Sequence, residues 1–263
     1  ENTHIVKMLL AHEKVDVNGH RSCGCNALLL ASRSGRLHVV SLLAAHPDIN
    51  IHQSCTSFGT AVSSANGPSA DTILKILLST KNLTQHATEA DIGTMFSKAA
   101  KLGLTNLVFT LISSLQRTGT WKPTLIPTFA LLEAVRSGHL PIVRIFLQHV
   151  DVNSSEFEKT GLTEAVELGR LDIVELFLAK KDVNVNGENR TMPPLVAAAK
   201  TGRLNIVRRL LKHRDININA SEYLLETAIS IAAKEGHWDV VEFLLSQEGI
   251  DLSAGATPVL HSA

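Results

Sequence analysis

Thr160-Gly161-Leu162-Thr163-Glu164-Ala165, continued by Gly169-Arg170-Leu171-Asp172-Ile173-Val174-Glu175-Leu176-Phe177-Leu178 and closed by Asp182-Val183-Asn184, reads as a helix start, a turn, a second helix and a hairpin. The same grammar recurs along the chain: a small residue four positions before glycine, then an apolar helix, then Asp-(Val/Ile)-Asn. Ala31, Ala65, Ala99, Ala134, Ala165, Ala198 and Ala232 mark the copies, at spacings of 34, 34, 35, 31, 33 and 34 residues. A fixed period in the range of roughly 20–50 residues means a stack of like units.

Each part of the unit has a physical reason. A hydroxyl or amide before the first helix accepts from backbone N–H groups that have no intrahelical partner. Asn26, Thr60, Thr94, Thr160, Thr227 and Thr257 hold that place, whereas Phe129 and Pro193 do not. Glycine at 35, 103, 138, 169, 202 and 236 suits a left-handed turn that ends the first helix. Ser69 stands there once, which makes the second copy the weakest. After the turn, Leu171, Val174 and Leu178 fall at i, i+3 and i+7, with Ile173 and Phe177 beside them. That is one broad apolar stripe on a helix, repeated by Leu204, Val207 and Leu211 and by Leu140, Val143 and Leu147. A single helix pair cannot bury such a stripe, so each must pack on its neighbours. Asp16-Val17-Asn18, Asp48-Ile49-Asn50, Asp151-Val152-Asn153, Asp182-Val183-Asn184 and Asp215-Ile216-Asn217 close the copies with residues that hydrogen-bond their own backbone in turns.

On these residues the chain resembles the ankyrin repeat family over essentially its whole length. The Thr-Gly-Leu-Thr-Glu-Ala block is similar to the Thr-Pro-Leu-His-x-Ala helix start of that family. The resemblance implies an all-α solenoid of stacked helix-turn-helix units with β-hairpin-like loops. It places one array over residues 1–263, with partial repeats at 1–18 and 253–263 and full repeats at 19–52, 53–86, 87–122, 123–153, 154–186, 187–219 and 220–252. Cut repeats at both ends, Thr3–Leu10 as a lone second helix and Ala256–Leu260 as a lone first helix, point to a segment of a longer protein. Two departures stand out. The family's histidine is replaced by Leu29, Ser63, Ser97, Leu132, Thr163, Val196 and Ser230, which removes its bond to neighbouring loops. The middle is irregular, with Lys81-Asn82-Leu83-Thr84 in place of the hairpin triplet and a long connection, Gln116 to Thr128, around Trp121.

Composition narrows the function classes. Hydrophobic residues make up 44% and aromatics 4%, enough for a continuous aliphatic core. Lys+Arg and Asp+Glu are both 25, so no global basic field argues for nucleic acid. No apolar run approaches the roughly 18 residues of a membrane span, so no membrane insertion is expected. Cys23, Cys25 and Cys55 are too few and odd in number for a disulfide framework, which suits an intracellular protein, cytoplasmic or nuclear. Asn82, Asn153, Asn189 and Asn219 match the glycosylation pattern but sit where turn chemistry alone calls for Asn.

Few residues point to chemistry. Cys23, Cys25 and Cys55 share two successive loops with His20 and His52, a set that zinc accepts in principle. Against it, loops of packed helices stand about 10 Å apart, so plain thiols are expected, with no cofactor and no metal. His139 and His237 follow turn glycines and the Asp residues build hairpins, so no catalytic constellation is visible. There is no Gly-Lys-Ser/Thr loop, no His-Glu-x-x-His and no dinucleotide fingerprint. The chain reads as a non-enzyme.

What remains is a surface. The resemblance implies a concave face built from hairpin tips and the exposed positions of the first helices. Two residues after the marker alanine the chain carries Arg33, Gly67, Lys101, Arg136, Glu167, Lys200 and Lys234. Five of these seven are basic, either as solvated helix ends that complement the C-terminal dipole or as a track for an acidic, extended peptide gripped by carboxylate pairing. Leu125, Ile126, Phe157, Met192, Tyr223 and Leu224 lie at the tips, where buried anchors act as hot spots. The candidate partner-binding residues are Arg33, Lys101, Arg136, Lys200 and Lys234, with Phe157, Arg190, Met192 and Tyr223. The expected function is a protein-protein interaction scaffold. The alternatives are a spacer array serving neighbouring domains and a metal- or redox-sensing module using the three cysteines.

Overall fold

The computed structural model describes residues 3–57, 59–65, 69–80, 87–156, 159–187, 191–221 and 226–254. The chain forms two compact units, Glu1–Ala130 and Leu131–Ala263. The first unit contains α1 (Thr3–Leu10), α2 (Ala27–Arg33), α3 (Leu37–Ala44), α4 (Ala61–Ser64), α5 (Ala70–Leu78), α6 (Glu89–Leu102), α7 (Thr105–Arg117) and a 3-10 turn at Pro123–Leu125. The boundary falls within α8 (Thr128–Ser137). The second unit continues with α9 (Leu140–Phe146), the hairpin β1 (Ser155–Glu156) and β2 (Lys159–Thr160), α10 (Gly161–Glu167), α11 (Leu171–Leu178), α12 (Pro194–Lys200), α13 (Leu204–Leu210), α14 (Ala228–Lys234) and α15 (Trp238–Leu245). Within it α10, α12 and α14 pack in sequence, and so do α9, α11, α13 and α15. The result is the two-layered helical repeat that the periodicity predicts.

Among the described residues, the expected caps hold with one exception. Asn26 Oδ1 accepts from Leu29 N at 2.9 Å, Thr160 Oγ1 from Thr163 N at 3.2 Å, and Thr60 and Thr227 close capping boxes with Ser63 and Ser230. Thr94 does not cap. Its helix α6 starts at Glu89, where Thr88 and Asp91 form the box, and the Thr94 hydroxyl donates to the Ala90 carbonyl inside the helix. The stronger box lies six residues upstream, and it lengthens α6 to 14 residues. Thr257 lies outside the described residues, as do Lys81 to Thr84 and Ala256 to Leu260.

The turn glycines all carry positive φ, from +63° at Gly202 to +76° at Gly236, as expected. Their second constraint comes from the next repeat. A Cβ on Gly169 would lie 2.9 Å from Arg203 Cζ, and one on Gly202 would lie 2.6 Å from His237 Nδ1. Arg170 covers Gly138 in the same way. In these three cases the residue that follows a turn glycine lies over the glycine of the preceding repeat. His237 Nε2 also donates to the Lys200 carbonyl at 3.0 Å, closing an orphan acceptor at the end of α12.

The second-helix stripe is centred one position away from the residues its i, i+3, i+7 spacing picked out. Ile173, Val174 and Phe177 are fully buried, as are Ile206, Val207 and Leu210, while Leu171 and Leu204 are only partly buried. Layers contact these helices from two sides, so the i and i+4 pair at the centre is the one sealed.

The Asp-(Val/Ile)-Asn triplets serve two registers. Asp16, Asp151 and Asp251 accept from the backbone N–H two residues on; so do Asn50, Asn184 and Asn217. The residue two further along reaches the next repeat. Asn153 Oδ1 accepts from Asn184 N at 2.7 Å while its Nδ2 donates to the Asp182 carbonyl at 2.8 Å. Asn186 makes the same pair with Asn217 N and the Asp215 carbonyl, and Asn219 with Asp251 N and the Gly249 carbonyl. In the first unit Asn18 does so with Asn50 N and the Asp48 carbonyl. Each amide is a two-bond rung between repeats, so Asn186→Ala is expected to cost about 1–2 kcal/mol. Asn186→Asp, which keeps the acceptor but sets a carboxylate oxygen against the Asp215 carbonyl where Nδ2 donates at 2.7 Å, is expected to cost more. Denaturant midpoints of the two variants test this, and equal losses would contradict the two-bond reading.

Candidate functional site

The first helices of the second unit present one charged residue each near their C-terminal ends, in register two residues beyond the marker alanine. Arg136 lies on α8. Its Nε donates to Glu164 Oε1 on α10 at 2.8 Å, and its Nη1 lies 3.6 Å from Glu133 Oε1. The Glu164 side chain is only 9% exposed, and its Oε2 has no hydrogen-bond partner among the described residues. The bond to Glu164 raises the Arg136 pKa above its ordinary value. Glu167, at the end of α10, is held by Lys159 of β2. Lys234, at the end of α14, pairs with Glu226 at 2.7 Å, with the lysine side chain still 56% exposed. Lys200, at the end of α12, is exposed and makes no ion pair among the described residues. In the first unit Arg33 and Lys101 are exposed at the ends of α2 and α6.

Of the charges that a linear reading places in a cationic row, Arg136 and Lys234 are thus met in the second unit by acidic residues, while Lys200 meets none among the described residues. Arg136 tethers α10, and its guanidinium is partly spent on a buried carboxylate. Composition carries no sign of this, because the burial of Glu164 depends on its neighbours.

The hairpin tips are described in part. Phe157, Arg190, Tyr223 and Leu224 lie outside the described residues. Met192 is half-buried, and its carbonyl accepts from the Thr163 hydroxyl at 3.1 Å. Thr163 occupies the place of the family's histidine, so a side-chain bond to the neighbouring loop persists there, contrary to its expected loss. Leu125 and Ile126 are 3% and 4% exposed and belong to the core, not to the tip surface. Trp121 meets Phe96 edge-on at 6.3 Å, so the long connection around it is packed down in the first unit.

The second helices carry a second set of interactions with no counterpart in the motif reading. Arg209 on α13 forks onto Glu175 of α11 through Nε and Nη2, and this bond pulls the Glu175 carboxyl below its usual range. Arg208 lies 4.2 Å above the Phe243 ring of α15. Burial lowers the His149 pKa, helped by the nearby charge of Lys180.

The three cysteines correct the spacing argument. Their sulfurs lie within 4.8 Å of one another, and Cys25 and Cys55 are bonded as a disulfide. The figure of about 10 Å applies to helix axes, whereas these loop tips approach backbone to backbone.

Short paired helices, left-handed glycine turns and amide rungs between hairpins define an α-helical repeat protein. A family model described as ankyrin repeats (3 copies) matches residues 96–189 and 181–256. The chain belongs to the ankyrin repeat family. No curated protein matches it. Ankyrin repeats are generally protein–protein interaction modules, and the family is typically non-enzymatic. No described helix is long and apolar enough to cross a membrane.

Proposed function

We propose that the chain is a non-catalytic, intracellular scaffold that binds an acidic, extended segment of a partner protein along the first-helix ends and hairpin tips of the second unit. The observation that carries this reading is the exposed ammonium of Lys200, which sits one repeat before the largely exposed Lys234. Because α10, α12 and α14 pack in order, these positions recur at a fixed separation of about 10 Å. A rigid surface of this kind loses little ordering entropy on binding. Met192 and the tip residues Phe157, Arg190 and Tyr223 supply the apolar and bidentate contacts in this proposal. Arg136 contributes the outward part of its guanidinium. Arg33 and Lys101 offer the same chemistry in the first unit.

The test is affinity capture from a cell lysate with mass spectrometry, comparing the chain with a Lys200→Glu, Lys234→Glu variant whose helicity circular dichroism has verified. Lys200→Glu breaks no ion pair among the described residues, whereas Lys234→Glu leaves the 14% exposed Glu226 without its partner, which is why the helicity check comes first. A protein retained by the chain, released by added salt and lost by the variant is expected. Identical captures would overturn the acidic-partner reading and leave the spacer role in its place.

A further inference from the structure

Cys25 and Cys55 join the loops that precede α2 and α4, and they are 5% and 3% exposed. Cys23 keeps a free thiol, is half-buried, and completes a triangle of sulfurs within 4.8 Å. The backbone builds this cluster by itself. The Cys23 carbonyl accepts from Thr56 N at 3.2 Å. Gly24, at φ +84°, brings the first loop so close to the second that a Cβ would lie 2.6 Å from the Ser54 carbonyl oxygen. Cys55 exchanges both backbone hydrogen bonds with Gly59, at 2.8 and 3.0 Å, which fixes the second tip. Leu29 and Leu30 pack behind the sulfurs. The apolar backing shields the bonded pair, so Cys23 is the sulfur that solvent reaches most easily.

We propose that Cys23, Cys25 and Cys55 form a thiol–disulfide exchange site that reversibly ties the loops of two successive repeats, with Cys23 as its entry thiol. The Cys23 thiolate attacks Cys55 Sγ; a Cys23–Cys55 bond forms, the Cys25–Cys55 bond breaks, and Cys25 leaves as a thiolate that takes up a proton. No net oxidation occurs in that step. Opening consumes two molecules of a small thiol such as glutathione, which become one glutathione disulfide while two electrons and two protons pass to the cysteines. Closure is the reverse reaction with glutathione disulfide as oxidant. In the closed state the two tips are one covalent body; in the open state the Thr56 bond to Cys23 and the leucine packing hold them.

A metal is the competing occupant of three sulfurs. The loop histidines do not turn toward it: His20 Nδ1 meets the Arg21 carbonyl at 2.9 Å, and His52 Nδ1 lies 3.9 Å from Asp91 Oδ1. The cluster therefore offers three ligands where structural zinc takes four.

The experiment equilibrates the purified 263-residue chain in glutathione buffers of varied redox ratio, quenches with acid, labels thiols with a maleimide and maps peptides by mass spectrometry. In oxidised buffer the expected products are a Cys25–Cys55 linked peptide, label or glutathione on Cys23, and a minor Cys23–Cys55 linkage. Reduced buffer should give three labelled cysteines. In Cys23→Ser the main linkage should persist, the minor one should vanish, and opening by glutathione should slow roughly tenfold. Three labelled thiols in oxidised buffer, at native helicity in the unsubstituted chain, would overturn the proposal. Opening of Cys23→Ser at the unsubstituted rate would remove the entry role. One equivalent of zinc retained through gel filtration, with all three thiols protected from label, would assign the cluster to metal instead.

Discussion

Arg136→Glu should destabilise the second unit by about 3 kcal/mol, read as a fall in the denaturant midpoint, although Arg136 is itself 39% exposed. The cost comes from the carboxylate it leaves behind. Glu164 is 9% exposed and receives its one charged hydrogen bond from Arg136, and Oε2 has no partner among the described residues. The new glutamate would also face Glu133, now 3.6 Å from the guanidinium it replaces. Two like charges then flank a third that water does not reach well. Adding Glu164→Gln to the variant should recover most of the loss, because a neutral amide tolerates that place. If Arg136→Glu unfolds at the midpoint of the unsubstituted chain, the ion pair does not hold α8 to α10. The same logic makes Lys200, which has no ion pair among the described residues, a cleaner position to reverse in a binding test than Arg136.

The architecture was readable from the sequence because its determinants are local. A left-handed turn needs glycine whatever surrounds it, so Gly35, Gly103, Gly138, Gly169, Gly202 and Gly236 announce themselves and all carry positive φ. Capping is nearly as local, and among the described residues it fails only at Thr94, where Thr88 and Asp91 offer a better box upstream. Roles set by the neighbouring repeat were not readable in this way. Asn153 and Asn184 both end an Asp-Val-Asn triplet, yet Asn153 spans two repeats and Asn184 turns its own backbone, leaving the span to Asn186. The triplet is the same, but Val185-Asn186 follows one and Ser154-Ser155 follows the other. Arg136 and Lys200 share a register position, yet Arg136 alone of the two is paired among the described residues, with a glutamate three residues before Glu167 that nothing in the linear charge pattern marks as buried. The cysteine cluster is hidden for a related reason: Gly24 and Thr56, not the spacing of the helices, set the separation of its loop tips.

Gly161→Ala separates two ways in which a glycine can be needed. Gly161 opens α10, and its φ is not in the left-handed region, so a side chain there meets no backbone strain. The obstacle is the Phe177 ring. A Cβ would press on Phe177 Cζ, lie 2.9 Å from Cε1 and touch Leu131 Cδ2 at 3.5 Å. Phe177 and Leu131 are both fully buried, so the ring has no solvent to swing into and the core must shift. Overpacking of this kind costs up to about 3 kcal/mol. Gly236 supplies the opposite case, with φ +76° and nothing within 4 Å of its Cβ position. Gly236→Ala therefore meets the left-handed strain alone, about 1 kcal/mol. Denaturant midpoints should fall clearly further for Gly161→Ala than for Gly236→Ala. Phe177→Leu should offset part of the first loss, because it removes the atoms in the way, and should do nothing for the second. If the two alanine variants lose equally, or if Phe177→Leu merely adds its own cavity cost to Gly161→Ala, then the junction of α10 and α11 is not packed as tightly as its geometry states.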